Sequence, residues 1–384
     1  MKQRHSTSDA GNSIGARQTA QSMRHEATIS DARTNVPRED ASPTQALTVG
    51  GNGKDGTLSV LTAEDRSKPM ARSVDSDQRT ASPAALAQTI GHVMTPVWRI
   101  PTGVAVPNLE AFDNVMRRYM ESHAVASGVL AIARNGRLVL ARGYTFAEPN
   151  GTTTLPTSLF RIASCSKTIT FLAALQLIER GIVDKDATVQ SILNLKTPSG
   201  QDPAGEYLNT TVGHLIRHQS GYRGAVKDDI EIAAAFDNQL PVTKQQHASY
   251  ITTLPWVKPG VRVYSNYDYM LLGMVIEKLQ PGFSYIEYAK EHIFLPLGAL
   301  RPRLGHSKET DAAPSEMHYD DSANQFGPSV LENSRPLVPF PYGVGNLENA
   351  DSFGGWILTA IDFVRLFCTF DQGIHNPLLA NPSE

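Results

Sequence analysis

Three observations predict an α+β fold, in which an antiparallel sheet is flanked by helices and joined to a mostly helical region. Asn135-Gly136 lies between two apolar runs, which is the strongest short-range signal of a β-hairpin. Apolar residues recur at helical spacing both before and after that hairpin. All 28 aromatic residues lie from Trp98 onward, so the part of the 384-residue chain that can build a core begins near there.

The N-terminal quarter of the chain has a different composition from the rest. Its first 92 residues contain no Phe, Trp or Tyr and are rich in Ser, Thr, Ala, Gly, Gln, Asp and Arg. Such a stretch cannot bury enough apolar surface to offset the entropy lost on ordering. We therefore expect residues 1–95 to be a disordered tail and residues 96–384 to form one globular domain.

Charge and cysteine content exclude several classes of function. The net charge is −3 and both signs are mixed along the chain, so we expect no nucleic-acid partner. No apolar run approaches the length of a membrane-spanning helix and the N-terminus has no apolar leader, which predicts a cytoplasmic protein without a membrane span. Cys165 and Cys368 form no disulfide framework, and neither has neighbours typical of a zinc site.

The remaining elements follow in chain order. Apolar positions from Leu109 to His123 repeat at helical spacing, and the hairpin strands are predicted at residues 129–133 and 138–141. Between Arg301 and Ala350 the chain is rich in Pro, Gly, Asn and Asp, which is typical of long irregular loops. Further helices are predicted at residues 164–180, 211–217, 269–279, 284–293 and 359–370.

A serine stands three residues before a lysine, Ser164 and Lys167, at the start of the most apolar predicted helix. Residues i and i+3 share a helix face, so the two side chains are expected to meet. Nearly every residue from Ile169 to Ile178 is apolar, which indicates a helix buried all round, and Gly181 ends it. Burial disfavours the charged form of Lys167, and a neutral amine can take the proton of a serine hydroxyl.

Nucleophilic catalysis of this kind needs a second group that passes a proton to the leaving atom. Tyr264 is the candidate, because it follows a Pro-Gly turn and directly precedes a predicted helix. Asn266, two residues later, can orient Lys167 and a substrate amide or carbonyl. Tyr207 and Asn209 have the same Y-x-N spacing but lack both the Pro-Gly turn and the Leu-Leu-Gly that follows Tyr264 by seven residues.

Five blocks of sequence stand in one order along the chain: Leu159-Phe160-Arg161-Ile162-Ala163-Ser164-Cys165-Ser166-Lys167, Leu215-Ile216-Arg217-His218-Gln219-Ser220-Gly221, Tyr264-Ser265-Asn266 before Leu271-Leu272-Gly273, Pro296-Leu297-Gly298, and Gly354-Gly355-Trp356 before Thr359-Ala360. This order resembles the serine β-lactamase and penicillin-binding-protein-like superfamily, in particular the class C β-lactamase branch with its related esterases and D-amino peptidases. The resemblance covers about residues 109 to 370.

The resemblance implies a β-lactamase/transpeptidase-like fold and a role for each matched residue. Ser164 corresponds to the acylated nucleophile, Lys167 to the base that activates it, Tyr264 to the proton relay and Asn266 to a polar support. The backbone N–H of Ser164 corresponds to one half of an oxyanion hole. Gly354 and Gly355 are expected to shape a loop near the site, although a simple turn is an equally good interpretation. No metal or diffusible cofactor is implied.

One motif of the superfamily is missing. Its members carry a K-T-G or H-x-G sequence on a strand that lines the opposite side of the site, and no such sequence follows Tyr264. Lys196-Thr197-Pro198 is misplaced and lacks the glycine. We therefore expect a domain that is incomplete at its C-terminus, without the strands that pair with the N-terminal hairpin in relatives.

Two functions remain open on these grounds. The first is a serine acyl hydrolase that acts on a small-molecule ester, amide or β-lactam through a Ser-Lys-Tyr acyl-enzyme mechanism. The second is a truncated, non-catalytic protein that serves as a binding module or is an inactive remnant. His214 and His218 are expected to make structural hydrogen bonds rather than bind metal, and Cys165 is expected to be a small buried side chain. The sequence does not indicate an oligomeric state.

Overall fold

The computed structural model describes residues 96–147, 151–224, 227–319, 325–370 and 377–379. The predicted N-terminal tail, residues 1–95, lies outside the described residues. All elements below belong to the part of the chain that follows that tail.

The predicted hairpin is the centre of a three-stranded antiparallel sheet. β2 (Ser127–Arg134) and β3 (Arg137–Ala147) are joined by the Asn-Gly turn, and both turn residues have positive φ, 51° and 69°, as a two-residue hairpin loop requires. β1 (Val97–Trp98), which the sequence did not predict, pairs with the outer edge of β3, so the order is β1-β3-β2. The predicted hairpin is therefore extended by a third strand.

Two helices pack against this sheet. α1 (Glu110–Ser122) matches the predicted helix, and its Met120 is fully buried. Asp113 on α1 accepts a hydrogen bond of 2.6 Å from the hydroxyl of Tyr144 on β3, which fixes the helix on the sheet. α9 (Ala360–Cys368), also predicted, contacts both β2 and β3. Thr359 caps it by accepting a hydrogen bond from the N–H of Asp362.

The mostly helical region is built around α2 (Lys167–Glu179), the apolar helix predicted after Ser164. Eight of its residues are buried, and Gly181 ends the helix with φ at 66°. Gln176, one of the polar residues among these, donates hydrogen bonds from its amide to the carbonyls of His292 and Leu378. The other helices are α3 (Val189–Leu193), α4 (Val212–Ile216), α5 (Asp229–Ala235), α6 (Lys244–Ile251), α7 (Asn266–Leu279) and α8 (Tyr285–Ala289), followed by a π turn (Lys290–Phe294).

Helix boundaries follow local capping chemistry. α4, α6 and α8 begin with capping boxes, in which Thr211, Thr243 and Ser284 exchange hydrogen bonds with the third residue of each helix. α2, α3, α4, α6 and α8 all approach α7, whose residues from 267 to 276 are all buried. α7 is therefore the axis of this region, and it packs directly on α2.

Short strands connect the two parts of the domain. β4 (Phe160–Arg161), β5 (Arg303–Leu304) and β8 (Trp356–Leu358) form an antiparallel sheet in the order β4-β8-β5. β6 (Phe326–Pro328) pairs with β7 (Leu337–Pro339). Irregular chain dominates the described residues between 301 and 350, as predicted, but the short strands β5, β6 and β7 within that region were not predicted. The fully buried Trp356 connects β8 to the helical core, where its ring packs against Phe294 and Tyr285.

Candidate active site

Ser164 lies where the chain turns sharply from β4 into α2. The residue before it, Ala163, has φ at 44°, a left-handed conformation that is uncommon for a residue with a side chain. A short 3₁₀ turn (Ala163–Ser166) follows and continues into α2. In a 3₁₀ turn, side chains at i and i+3 lie directly above one another, so Lys167 comes under Ser164. The turn leaves Ser164 exposed.

Lys167 makes three hydrogen bonds with its amine. Nζ lies 3.1 Å from Ser164 Oγ, 2.8 Å from Asn266 Oδ1 and 2.9 Å from the carbonyl oxygen of Phe353. The three partners come from the 3₁₀ turn, from the first residue of α7 and from the segment before β8. The amine is thus held at the junction of three parts of the fold.

Burial changes the charge equilibrium of Lys167. The residue is only 7% exposed, and the loss of hydration lowers the pKa of its amine to about 8. Aromatic rings complete the surroundings, with the centroids of Tyr264, Phe353 and Tyr269 at 4.8, 5.5 and 5.9 Å from Nζ. Attraction to these ring faces stabilises the protonated amine only modestly, so loss of hydration has the larger effect on its pKa.

Tyr264 contacts the nucleophile directly. Its hydroxyl lies 2.7 Å from Ser164 Oγ, and the residue is 57% exposed. Tyr207, the other Y-x-N tyrosine, is fully buried against Trp256 and lies in the 3₁₀ turn Gly205–Asn209.

Asn266 is the first residue of α7 and directly follows Ser265, which has an extended backbone. Its side chain accepts the 2.8 Å hydrogen bond from Lys167. Because α7 is the most buried helix of the region, this acceptor is held on a rigid element. The structure thus brings together Ser164, Lys167, Tyr264 and Asn266, the four side chains selected from the sequence.

The segment before β8 contributes a backbone group that the sequence did not reveal. The carbonyl of Phe353 accepts from Lys167, and the neighbouring carbonyl of Ser352 accepts from Thr170 on α2 at 2.5 Å. Gly354 and Gly355 follow directly. A Cβ on Gly355 would lie 2.6 Å from Leu304 Cδ1 and 2.8 Å from the carbonyl of Leu347, so this glycine permits a close approach of chain segments.

Cys165, His214 and His218 were also singled out in the sequence. Cys165 is exposed rather than buried, because the 3₁₀ turn projects it outward, yet partial desolvation still raises the pKa of its thiol. His214 accepts a hydrogen bond from the N–H of Thr211, and His218 Nδ1 lies 3.3 Å from the N–H of Ser265, so both make the predicted structural contacts. Among the described residues, no group of three His, Cys, Asp or Glu side chains could hold a metal ion.

A cavity of about 680 Å³ lies beside the site. Asn266 and Phe353, both partners of Lys167, are part of its wall. Other lining residues include the apolar Val330, Val344 and Leu347 of the irregular region. The cavity offers room for part of a substrate close to the lysine.

The beta-lactamase family model matches residues 112–382 of this chain. The chain belongs to the beta-lactamase family. Penicillin-binding protein PbpX of Bacillus subtilis is 26% identical over 252 residues, which are 65% of this chain and 54% of that protein. A second B. subtilis penicillin-binding protein is 32% identical over 192 residues, or 48% of this chain and 39% of that protein. The chain therefore spans about half the length of the curated relatives it matches.

Solved structures agree with the family assignment. The octameric penicillin-binding protein homologue from Pyrococcus abyssi is 25% identical, with a TM-score of 0.51 over 72% of this chain and 59% of that one. The β-lactamase/transpeptidase-like fold and the superfamily of serine hydrolases predicted from the sequence are thereby confirmed. That superfamily includes esterases, amidases and penicillin-binding proteins. In the described part of the chain, no helix combines the length and the apolarity needed to cross a bilayer.

Proposed function

We propose that this beta-lactamase-family protein is a serine acyl hydrolase that uses Ser164 as nucleophile, Lys167 as base and Tyr264 as proton donor. The observation that carries the proposal is the convergence of three side chains from two distant parts of the chain, with Ser164 Oγ 2.7 Å from the Tyr264 hydroxyl and 3.1 Å from Lys167 Nζ.

The hydrogen bonds of Lys167 support its role as a base. An ammonium has three N–H donors, whereas a neutral amine has two N–H donors and one lone pair. The Asn266 side-chain oxygen and the Phe353 carbonyl can only accept, so they take two N–H groups. In the neutral amine the lone pair is then left for Ser164, whose hydroxyl donates to it. With the pKa lowered to about 8, a useful fraction of the amine is neutral near pH 7.

Acylation follows from this geometry. Ser164 Oγ attacks the substrate carbonyl carbon while its proton passes to Lys167, and the carbonyl π electrons move to oxygen. The N–H of Ser164 lies in the first turn of the helical segment, where N–H groups have no partner within the helix, so it is available for that oxyanion. As the tetrahedral intermediate collapses, the bond to the leaving group breaks and Tyr264 donates its proton to the leaving atom.

Deacylation restores the site. Lys167 passes its proton to the phenolate of Tyr264. A water molecule then attacks the acyl carbon of the ester on Ser164. That water loses its proton to the neutral amine of Lys167, the acyl–Oγ bond breaks to release a carboxylic acid, and Lys167 returns the proton to Ser164 Oγ. Every step uses side chains of this chain and water, and none requires a cofactor.

Esters are the substrates we propose first, with amides and β-lactams as further members of the class. Ser164 and Tyr264 are both exposed, so a small acyl compound has direct access to the reacting oxygen. An alkoxide or phenoxide also departs more readily than an amide nitrogen, so esters make the smallest demand on the proton donor. The neighbouring cavity can accept one end of such a molecule.

The test is hydrolysis of matched p-nitrophenyl esters, anilides and a chromogenic cephalosporin by the full chain. Ser164→Ala is expected to lower the rate at least about 1,000-fold, because the nucleophile is removed. Cys165→Ala is the matched control, since this exposed neighbour has no assigned role, and it should retain the rate. Hydrolysis that survives in Ser164→Ala, or that disappears in Cys165→Ala, contradicts the proposal.

A further inference from the structure

Tyr264 stands on an exposed loop, yet its hydroxyl is placed within hydrogen-bond distance of Ser164. The loop is attached at both sides of the tyrosine to one residue, His218. The backbone carbonyl of His218 accepts from the N–H of Val263 at 2.8 Å, and its ring Nδ1 lies 3.3 Å from the N–H of Ser265. The two neighbours of Tyr264 are therefore both bonded to His218.

The imidazole of His218 also forms a wall for the tyrosine ring. The ring centroids of His218 and Tyr264 are 4.8 Å apart, and those of His218 and Tyr269 are 4.9 Å apart. At these separations the rings are in contact. His218 thus limits rotation of the phenol from the side, while the backbone hydrogen bonds limit movement of the loop.

His218 is itself firmly held. It is buried, and its backbone has φ at 56°, a conformation that only a few residue types adopt readily. Asp268 is fully buried and lies two residues after Asn266 in the sequence. Its Oδ2 is 3.5 Å from His218 Nδ1. Ser220 and Ser265 complete the surroundings of that carboxylate, and burial raises the pKa of Asp268. The buried carboxylate of Asp268 therefore lies beside the imidazole ring of His218.

We propose that His218 is a positioning residue for Tyr264, which holds the phenol where it can protonate the leaving atom. The inference rests on the proposed acyl-transfer function. A merely structural histidine would join the segments 218–221 and 257–265 and affect all activities equally. A positioning residue instead affects only those reactions that need the proton of Tyr264.

Leaving-group chemistry separates the two roles. A p-nitrophenolate departs without protonation, and so does fluoride from a fluorophosphonate, whereas an alkoxide needs the proton donor. For one acyl group, the ratio of the rates for the p-nitrophenyl and the ethyl ester therefore reports on the acid alone. The rate of fluorophosphonate labelling reports on Ser164 and Lys167 without the acid.

The variant of choice is His218→Asn, because Asn tolerates the left-handed backbone and offers a side-chain acceptor, but has no ring to pack on Tyr264. We expect kcat for the ethyl ester to fall at least about tenfold, with KM and fluorophosphonate labelling within about threefold of the unsubstituted chain. His218→Phe, which restores a ring but not the acceptor, should recover part of the loss. His214→Ala is the matched histidine control and should change both esters alike.

Equal losses for both esters and for labelling, or no loss for either, would overturn the role of His218. If His218→Asn melts below the assay temperature, His218→Phe gives the same comparison, since loss of the hydrogen bond to the N–H of Ser265 should still affect the ethyl ester selectively. The proposed function is tested separately by the unsubstituted chain. Absence of both labelling and hydrolysis there contradicts the function, whereas parallel losses in the variants contradict only the positioning role.

Discussion

The pKa of Lys167 gives the sharpest quantitative expectation of the mechanism. Burial lowers it from 10.5 to about 8. At pH 7 this raises the neutral fraction of the amine from about 3 in 10,000 to about 1 in 11, a gain of about 300-fold. Because only the neutral amine can accept the proton of Ser164, the rate of acylation should follow this fraction.

The assay is the second-order rate constant of fluorophosphonate labelling, and kcat/KM for a p-nitrophenyl ester, from pH 6 to pH 10. Both quantities should rise about tenfold per pH unit at low pH and level off near pH 8, as they report ionisation in the free enzyme. Labelling depends on the nucleophile and its base, so agreement between the two profiles identifies Lys167 rather than a later step.

Substitution provides the second half of the same test. Lys167→Arg keeps the charge but cannot lose its proton, so the plateau rate should fall by about 100- to 10,000-fold. Lys244→Arg is the matched control, because Lys244 is a partly buried lysine that is paired with Asp351 at 2.7 Å and has a raised pKa. Its rate should be retained. A flat profile between pH 6.5 and pH 9, or a Lys167→Arg rate within tenfold of normal, would refute the reasoning.

Three further predictions concern other parts of the structure. Tyr264→Phe should lower hydrolysis of an ethyl ester by about 100-fold or more while p-nitrophenyl hydrolysis falls less, and equal losses would contradict its role as acid. Asn266→Asp places a carboxylate beside the Lys167 amine and should move the rise of the pH–rate profile upward by at least about one unit, and an unmoved profile would contradict the contact. Leu172→Ala, in the fully buried face of α2, should lower the free energy of unfolding by about 2–5 kcal/mol in urea titration.

The long elements of the fold were accessible from the sequence because their signals are local. The hairpin depends on one Asn-Gly pair, and α1, α2, α7 and α9 have sustained apolar patterns. The sheet formed by β4, β5 and β8 was missed, because strands of two or three residues are too short to show a period. They pair across more than 50 residues of sequence, which no local pattern reveals.

The sequence likewise revealed some groups of the candidate site and not others. Ser164 and Lys167 were found because their spacing and the apolar helix are adjacent in sequence. The carbonyl of Phe353, 186 residues from Lys167, was not found, because any residue type can supply a backbone acceptor. The contact of His218 with Tyr264 was also missed, because two aromatic rings 46 positions apart meet only through the loop that connects them. Cys165 was wrongly expected to be buried, because a 3₁₀ turn was not distinguished from the start of α2.

The most direct test of the account is the mass of the intact protein after reaction with a fluorophosphonate, followed by tryptic peptide mapping. Cleavage after Arg161 and Lys167 gives a peptide of residues 162–167, which contains Ser164, Cys165 and Ser166. The mechanism predicts one adduct per chain, located on Ser164 by fragmentation and absent from Ser164→Ala. An unmodified protein, or an adduct on Cys165 or Ser166 that persists in Ser164→Ala, would contradict it.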